Sequence, residues 1–313
     1  MPENTTRKIL VGTRGSELAM TQANAVVALL SEKWPVHKFV VSIITTSGDR
    51  FSDAKALDIG TGIFTKEIES GLLNRTLDIA VHSLKDLPTT QPEGLAVAAV
   101  LPREDPRDAI VSKEAIKLAE LPQGARIGTG SVRRAAQLLA FRADFEIVSM
   151  RGNVPTRLKK LESMDLDAIV LAAAGLRRLG LQDSITEIIE PDVMLPAAGQ
   201  GIVAIEARSR DADIVKIIRA LEDENARIEA LAERQLLDLL GGGCQAPVGA
   251  LAHVENDAIK LHGAVVSPDG SRVLKARAED GAEDWRDVTW KVAQELKNAG
   301  AQEILKTARR GGR

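Results

Sequence analysis

A chain of 313 residues, 44% of them hydrophobic, is long enough for two or three ordinary domains, and its single cysteine excludes both a disulfide framework and a thiolate-rich metal site. A formal charge of −3 provides no global basic field, which excludes nucleic acid as the default partner and requires any bound anion to meet a local cluster. The start, Met1-Pro2-Glu3-Asn4-Thr5-Thr6-Arg7-Lys8, has no apolar signal core and no later run has membrane-spanning length, so the expectation is a soluble, cytoplasmic protein with no membrane partner.

Lys8 to Val11 reads as a strand and Thr13-Arg14-Gly15-Ser16 as a turn; the helix that follows carries Ala19, Ala23, Val26, Val27 and Leu30 on one face. Between Asp49 and Phe64 the chain is polar and glycine-punctuated, with Gly60 and Gly62 flanking Thr61, and reads as a mobile flap. Asp78 to Val81 is a second strand, ending in His82-Ser83-Leu84-Lys85-Asp86-Leu87-Pro88. Lys85-Asp86 is the sharpest acid–base pair in the chain, a carboxylate at a strand end beside a cation and just before a proline; a surface ion pair is the competing reading. His82 is a second acid–base candidate, although a histidine at a strand end is as often packed structurally. Pro102-Arg103-Glu104-Asp105-Pro106 then reads as a linker between two αβ-rich regions.

Arg126 to Gly128 is a third strand, followed by Thr129-Gly130-Ser131-Val132-Arg133-Arg134 and a helix. Gly128-Thr129-Gly130 begins a dinucleotide fingerprint, but Arg133 occupies the third glycine position. As hydroxyls, backbone N–H groups and a helix amino end, the same turn is an anion seat. Phe145 to Ser149 leads into Met150-Arg151-Gly152-Asn153, and Asp167 to Leu171 into Ala174-Gly175-Leu176-Arg177-Arg178. Strands alternating with helices imply a mostly parallel sheet with ligands bound beyond the carboxyl ends of its strands. Taken singly, Arg14, Arg133, Arg134, Arg151, Arg157, Arg177 and Arg178 are surface arginines. Five loops repeating the pattern at strand ends reverse that preference, in favour of a local anion-binding cluster.

The second region ends near Leu195-Pro196-Ala197-Ala198-Gly199-Gln200-Gly201, and Ile202 to Glu206 is again a strand, so the chain returns to its first domain. A helix follows with Ile214, Ile217, Ile218 and Leu221 on one face. A later helical run ends at Leu240, where Gly241-Gly242-Gly243 stops it and places Cys244 on an open turn. A lone cysteine is more often a small buried hydrophobe. The negative carbonyl end of a helix also disfavours a standing thiolate, so Cys244 suits a single permanent alkylation better than turnover as a nucleophile. Val248 to Val254, Ile259 to Val266 and Val273 to Ala278 read as antiparallel strands joined by short turns, closed by a helix bearing Trp285, Val288, Val292 and Leu296. The histidines at 37, 82, 253 and 262 have no ligand spacing, and no metal motif exists.

Several of these segments together resemble the porphobilinogen deaminase family along nearly the whole chain: Thr13 to Ala19, Ala80 to Pro88, Pro102 to Pro106, Gly128 to Arg134, Arg151-Gly152-Asn153, Leu195 to Gly201 and Gly242-Gly243-Cys244-Gln245. One departure is that Gly60-Thr61-Gly62-Ile63-Phe64 stands where the family usually reads Gly-Lys-Gly-Leu-Phe. The resemblance implies an α/β fold of two periplasmic-binding-protein-like αβ domains, the first discontinuous, plus a small C-terminal α+β domain with a three-stranded antiparallel sheet. The expected boundaries are 1–101 with 202–220, then 107–195, then 224–313.

The resemblance further implies a monomeric transferase of haem and porphyrin biosynthesis. It would condense four porphobilinogen molecules head to tail with loss of ammonia, and its hydroxymethylbilane product would pass to uroporphyrinogen-III synthase. One dipyrromethane per chain would be held by thioether to Cys244 and surrounded by Lys85, Asp86, Ser83, Thr129, Ser131, Arg133 and Arg134. Asp86 and Lys85 would be catalytic, and Arg14, Ser16, Gln22, Arg151, Arg157, Arg178 and Gln200 would receive the substrate. The competing class is a two-domain anion-binding module, disfavoured because such a module has no use for a thiol domain. A nucleotide-dependent enzyme lacks its phosphate loop.

Overall fold

The computed structural model describes residues 6–46, 65–243 and 246–311. The chain divides into two compact units, Met1–Arg103 with Ile202–Arg227, and Glu104–Gly201 with Ile228–Arg313.

The first unit is built on a five-stranded sheet of β1 (Lys8–Arg14), β2 (Lys38–Ile44), β3 (Ile79–Ser83), β4 (Leu95–Val100) and β10 (Val203–Arg208), in the order β2-β1-β3-β10-β4. Alternating side chains send Ile9, Val11, Val81, Val203 and Ile205 to one face, where α1 (Glu17–Lys33) and α6 (Ala212–Arg219) cover them with Ala23, Val26, Leu30, Ile214 and Ile218. Ala80, Leu95 and Leu10 point the other way, against Ile68 and Leu72 of α2 (Lys66–Leu73). The side chain of Ser16 accepts a hydrogen bond from the Ala19 N–H at 3.3 Å and so caps α1.

The second unit repeats this topology. β5 (Asp108–Ser112), β6 (Arg126–Gly128), β7 (Glu146–Val148), β8 (Ala168–Ala172) and β9 (Glu187–Ile188) form a sheet in the order β7-β6-β8-β5-β9, with α3 (Val132–Phe141), α4 (Val154–Ser163) and α5 (Ala173–Arg178) in the intervening connections. Neither sheet is mostly parallel, as the alternation of strands and helices implied. β1 runs parallel to β2 and β3, whereas β10 is antiparallel to β3 and β4; likewise β6 is parallel to β7 and β8, whereas β5 is antiparallel to β8 and β9. β5 and β10 are the strands that follow a passage of the chain from one unit to the other. No helical crossover within a sheet sets their direction, so the right-handed crossover rule does not constrain them.

Also in the second unit are β11 (Val248–Glu255), β12 (Ala258–Val266) and β13 (Val273–Gly281), wholly antiparallel as the short turns implied. Their inner face meets Leu236, Leu237 and Leu240 of α7 (Glu224–Leu240), Val288, Val292 and Leu296 of α8 (Trp285–Asn298), and Ile304 and Leu305 of α9 (Ala301–Gly311). The last helix was not anticipated from sequence. Gly241 ends α7 with φ of 67°, its N–H reaching the Asp238 carbonyl while the Gly242 N–H reaches that of Leu237. This paired closure requires the left-handed backbone that glycine adopts without strain. Among the described residues, no helix is long and apolar enough to cross a membrane.

Candidate functional site

In the first unit, β1 and β3 lie side by side in parallel and end together, which brings their C-terminal residues to one edge of the sheet. Arg14 closes β1 and is half-buried; Ser16 caps the helix that follows. Gln22, on the first turns of α1 and only 3% exposed, exchanges hydrogen bonds with Ser83 at the end of β3: its amide N–H donates to the hydroxyl at 3.0 Å and its carbonyl accepts from it at 3.1 Å.

Leu84–Asp86 then form one turn of 3-10 helix. Leu84 and Leu87 are each 1% exposed and act as anchors three residues apart, worth about 1.5–3 kcal/mol each in burial, with Lys85 half-buried and Asp86 exposed between them. The Leu84 N–H donates to the Ile202 carbonyl and that of Leu87 to the Leu84 carbonyl, so both backbone ends of the turn are tied. A carboxylate on a rigid, solvated turn can exchange protons with an arriving group. His82 behaves differently: it is buried, with its imidazole Nε2 3.2 Å from a carboxylate oxygen of Glu206 on β10.

In the second unit the turn after β6 carries Thr129, Gly130 and Ser131. Thr129 is buried and its hydroxyl accepts from the Ser131 N–H at 3.2 Å, while the Ser131 hydroxyl caps α3 by accepting from the Arg134 N–H. A Cβ on Gly130 would stand 2.4 Å from the Met150 carbonyl oxygen, so only glycine lets the turn lie this close to the chain after β7.

Arg133 and Arg134, each 5% exposed, both converge on Asp108, the fully buried first residue of β5. Arg133 donates to one oxygen of Asp108 at 2.8 Å and to the Leu195 carbonyl at 2.6 Å. Arg134 donates twice to the other oxygen, at 2.7 and 3.1 Å, and once to the Val170 carbonyl. Burial alone would raise the Asp108 carboxyl, but the two guanidiniums outweigh it and hold it far below the usual carboxylate range. Gln200, expected at the substrate, directs its amide at Asp108 (2.9 Å) and at the Pro106 carbonyl (2.6 Å).

Two cations on one carboxylate leave a surplus positive charge, and burial together with the neighbouring Arg134 pulls the Arg133 guanidinium below its ordinary value despite Asp108. The buried Arg133 Nε has no hydrogen-bond partner among the described residues. A ligand bearing carboxylates fits both features, and dipyrromethane is such a ligand.

Arg151 follows β7, and its carbonyl accepts from Lys160 of α4 at 3.0 Å. Arg157, on α4, donates to the Gly152 carbonyl at 2.8 Å. Arg178 ends α5 and donates to the Gly201 carbonyl at 2.7 Å; burial lowers its guanidinium, partly offset by Glu104. Its neighbour Arg177 instead pairs with Glu104 and Asp105, each at 3.1 Å, and pins the linker. Cys244 and Thr61 lie outside the described residues.

The sequence reading did not single out Asp108. Its signal is an acidic residue heading the apolar run Ala109-Ile110-Val111 in a chain whose adjacent arginines require a counterion. Glu233 was missed as well: fully buried on α7, it accepts the N–H groups of Gly199 (2.6 Å) and Ala252 (2.7 Å), joining the Leu195 to Gly201 loop to β11.

Comparison with known proteins finds two successive family models along the chain. Residues 9–216 match "Porphobilinogen deaminase, dipyromethane cofactor binding domain" and residues 227–298 match "Porphobilinogen deaminase, C-terminal domain". A porphobilinogen deaminase of Pelotomaculum thermopropionicum is 49% identical over 304 residues, 97% of each chain, and one of Roseiflexus sp. is 46% identical over 298 residues, 95% of this chain and 98% of the relative. Among solved structures, a probable amino-acid ABC transporter extracellular-binding protein of Bacillus subtilis aligns at TM-score 0.42 and 14% identity over 74% of this chain and 97% of its own. A TRAP periplasmic solute binding protein of Pseudomonas putida aligns at 0.41 and 12% over 74% and 80%.

Proposed function

The chain belongs to the porphobilinogen deaminase family, and from that premise we propose that it joins four porphobilinogen molecules head to tail, releasing ammonia, to make hydroxymethylbilane for tetrapyrrole biosynthesis. The observation that carries the reading is the match of both family models in succession, from residue 9 to residue 298. Porphobilinogen is a pyrrole with an acetate, a propionate and an aminomethyl group, and the residues divide by what each part requires.

Asp86 protonates the departing amine as an acid and, as a carboxylate, stabilises the cationic pyrrole N–H groups that develop. Its exposed turn lets one side chain serve both states in each cycle. Lys85 sets the local charge balance. Each pyrrole adds two carboxylates, and like charges about 4 Å apart repel by roughly 4 kcal/mol at an effective dielectric of 20. Arg14, Arg151, Arg157 and Arg178, with Ser16, Gln22 and Gln200, offset that repulsion and orient the incoming substrate. Arg133 and Arg134, with Thr129, Ser131 and Ser83, hold the dipyrromethane carboxylates, a role supported by the surplus charge beside Asp108. When bound through Cys244, that group supplies the free pyrrole α-carbon on which growth begins.

The working arrangement is a cytoplasmic monomer with domains 1–101 plus 202–220, 107–195 and 224–313, its product passed to uroporphyrinogen-III synthase. The reading is tested by incubating the protein with porphobilinogen and measuring ammonia and hydroxymethylbilane, alongside its mass under denaturing conditions. Four ammonia per product and a mass excess of two pyrrole units, lost in Cys244→Ser, are expected. An active protein of unmodified mass would overturn the cofactor assignment.

A further inference from the structure

The first unit contains a buried group of titratable side chains that the proposed chemistry does not use. His82 is 5% and Glu206 0% exposed at the side chain, and they lie on adjacent antiparallel strands, His82 opposite Ala204 and Glu206 opposite Ala80, which makes them a diagonal pair on one face. They approach to 3.2 Å as an ion pair, yet His82 Nε2 and both Glu206 oxygens are buried without a hydrogen-bond partner among the described residues. Across this face lies α2, which packs over β1, β3, β4 and β10. It contributes Glu69, 7% exposed, whose Oε1 is likewise buried and unbonded. Among the described residues the apolar neighbours on this face are Ile68, Leu72, Ala80 and Leu95, with the Thr65 side chain hydrogen-bonded to Glu69.

Two carboxylates and one imidazole in such a layer are electrically neutral only when the three share two titratable protons. Full ionisation of both glutamates would place an uncompensated charge in an apolar layer, at a cost of several kcal/mol. Other charged groups on the elements concerned are Lys66 and Glu67 of α2, Lys8 and Arg14 at the two ends of β1, and Arg208, which donates from β10 to the carbonyls of Leu72 and Leu77. Burial raises the Glu69 carboxyl above its ordinary value; a hydrogen bond from Thr65 opposes this, Glu206 raises it further, and His82 and Lys66 lower it. The cluster sits at the last rungs of the β3–β10 ladder, one residue before Ser83 and immediately ahead of the turn that carries Asp86.

We propose that His82, Glu206 and Glu69 form a proton-sharing cluster that locks the end of β3 against β10 and α2, and so positions Asp86. The three are positioning residues: they act through the strand and do not touch substrate. Because folding raises the Glu69 carboxyl, its contribution to this packing is complete below the ordinary carboxyl value and is lost as pH rises through the raised one. The proposal rests on Asp86 having the role given above.

The test combines ¹³C NMR titration of the Glu69 carboxyl with steady-state kinetics and denatured mass for the wild type, Glu206→Gln and Glu69→Gln. The wild-type Glu69 carboxyl should titrate above its ordinary value and move back towards it in Glu206→Gln. Both variants should lose about 10-fold or more in kcat while KM and the mass of bound cofactor stay unchanged. Should Glu206→Gln fail to fold, the wild-type titration and Glu69→Gln still decide the matter. Unchanged kcat in the variants that fold, or a Glu69 titration at its ordinary value or indifferent to Glu206, would overturn the cluster. A wild-type protein that makes no hydroxymethylbilane would instead overturn the functional reading while leaving the Glu69 titration interpretable.

Discussion

Asp108→Asn isolates the electrostatic centre of the second unit. The substitution keeps the shape of a fully buried side chain that accepts from Arg133, from Arg134 twice and from Gln200. It removes the carboxylate with which both guanidiniums form ion pairs among the described residues and turns an amide donor towards groups that can only donate. Breaking a buried ion pair by deleting one partner costs about 3–5 kcal/mol. At about 2–4 °C per kcal/mol, the midpoint of thermal unfolding should fall by roughly 6–20 °C.

The effect has a pH signature. Asp108 is depressed when folded, so its stabilisation is complete above the ordinary carboxylate value of about 3.9 and is lost as pH falls from there towards the folded value. Melting curves of wild type and variant, followed by circular dichroism, should therefore converge as pH drops below about 4. Adding Arg134→Met to the variant should recover part of the loss, because one unpaired cation is then gone. A midpoint shift under about 2 °C, or a gap that persists unchanged into acid, would show that Asp108 does not neutralise this pair.

Asp86→Asn keeps the shape of the exposed turn while removing its acid; turnover should fall about 10²-fold or more with cofactor mass intact, and near-normal turnover would move the proton-transfer role elsewhere. Charge-removing variants of Arg133 or Arg134 should reduce cofactor loading, whereas those of Arg14, Arg151, Arg157 or Arg178 should change the distribution of enzyme masses by native mass spectrometry during turnover; a uniform loss of affinity would end the distinction between the two sets. Thr61→Lys should lower KM by at most several-fold and strengthen its salt dependence, since a partly exposed ion pair contributes about 0–1 kcal/mol. Kinetics unaltered across ionic strength would show that position 61 does not meet the substrate.

Local pattern carried the individual elements further than their assembly. Arg126–Gly128 was legible as a strand to the residue, and α8 from the spacing of Val288, Val292 and Leu296, because both rest on periodicity within one segment. The short strand Glu187–Ile188 and the strand Leu95–Val100 escaped because two residues have no period and an unbroken apolar run has no alternation. The directions of β5 and β10 depend on where the chain enters a sheet, which no local pattern encodes. At the candidate site, the position of Lys85 and Asp86 at a strand end was legible because the apolar run before them and Pro88 after them mark it; Asp108 was not, since its importance comes from Arg133 and Arg134, about twenty-five positions away in sequence. The same holds for Glu206 and His82, whose proximity is a matter of strand register alone.

That dependence on distant partners also sorts the arginines, which look alike in sequence. Arg177 and Arg107 face carboxylates of Glu104, Asp105 and Glu190, so much of their field is already neutralised and each holds chain in place. Arg157 and Arg178 donate to main-chain carbonyls of Gly152 and Gly201, and a carbonyl contact of this kind orients a guanidinium. Arg178 is also drawn below its ordinary value by burial, so an arriving carboxylate there gains both from the charge and from replacing lost hydration. Arg133 and Arg134 stand between these cases: one shared carboxylate fixes them rigidly and leaves one positive charge over. A pair pre-ordered in this way suits a carboxylate ligand that is placed once and kept, whereas an arginine oriented by a main-chain carbonyl, as Arg178 is, suits a carboxylate that must arrive and move on. Adjacent in sequence, Arg177 and Arg178 therefore differ in setting: Arg177 is tied to the carboxylates of the linker, and Arg178, buried and oriented by a carbonyl, is the one that suits the substrate role proposed for it.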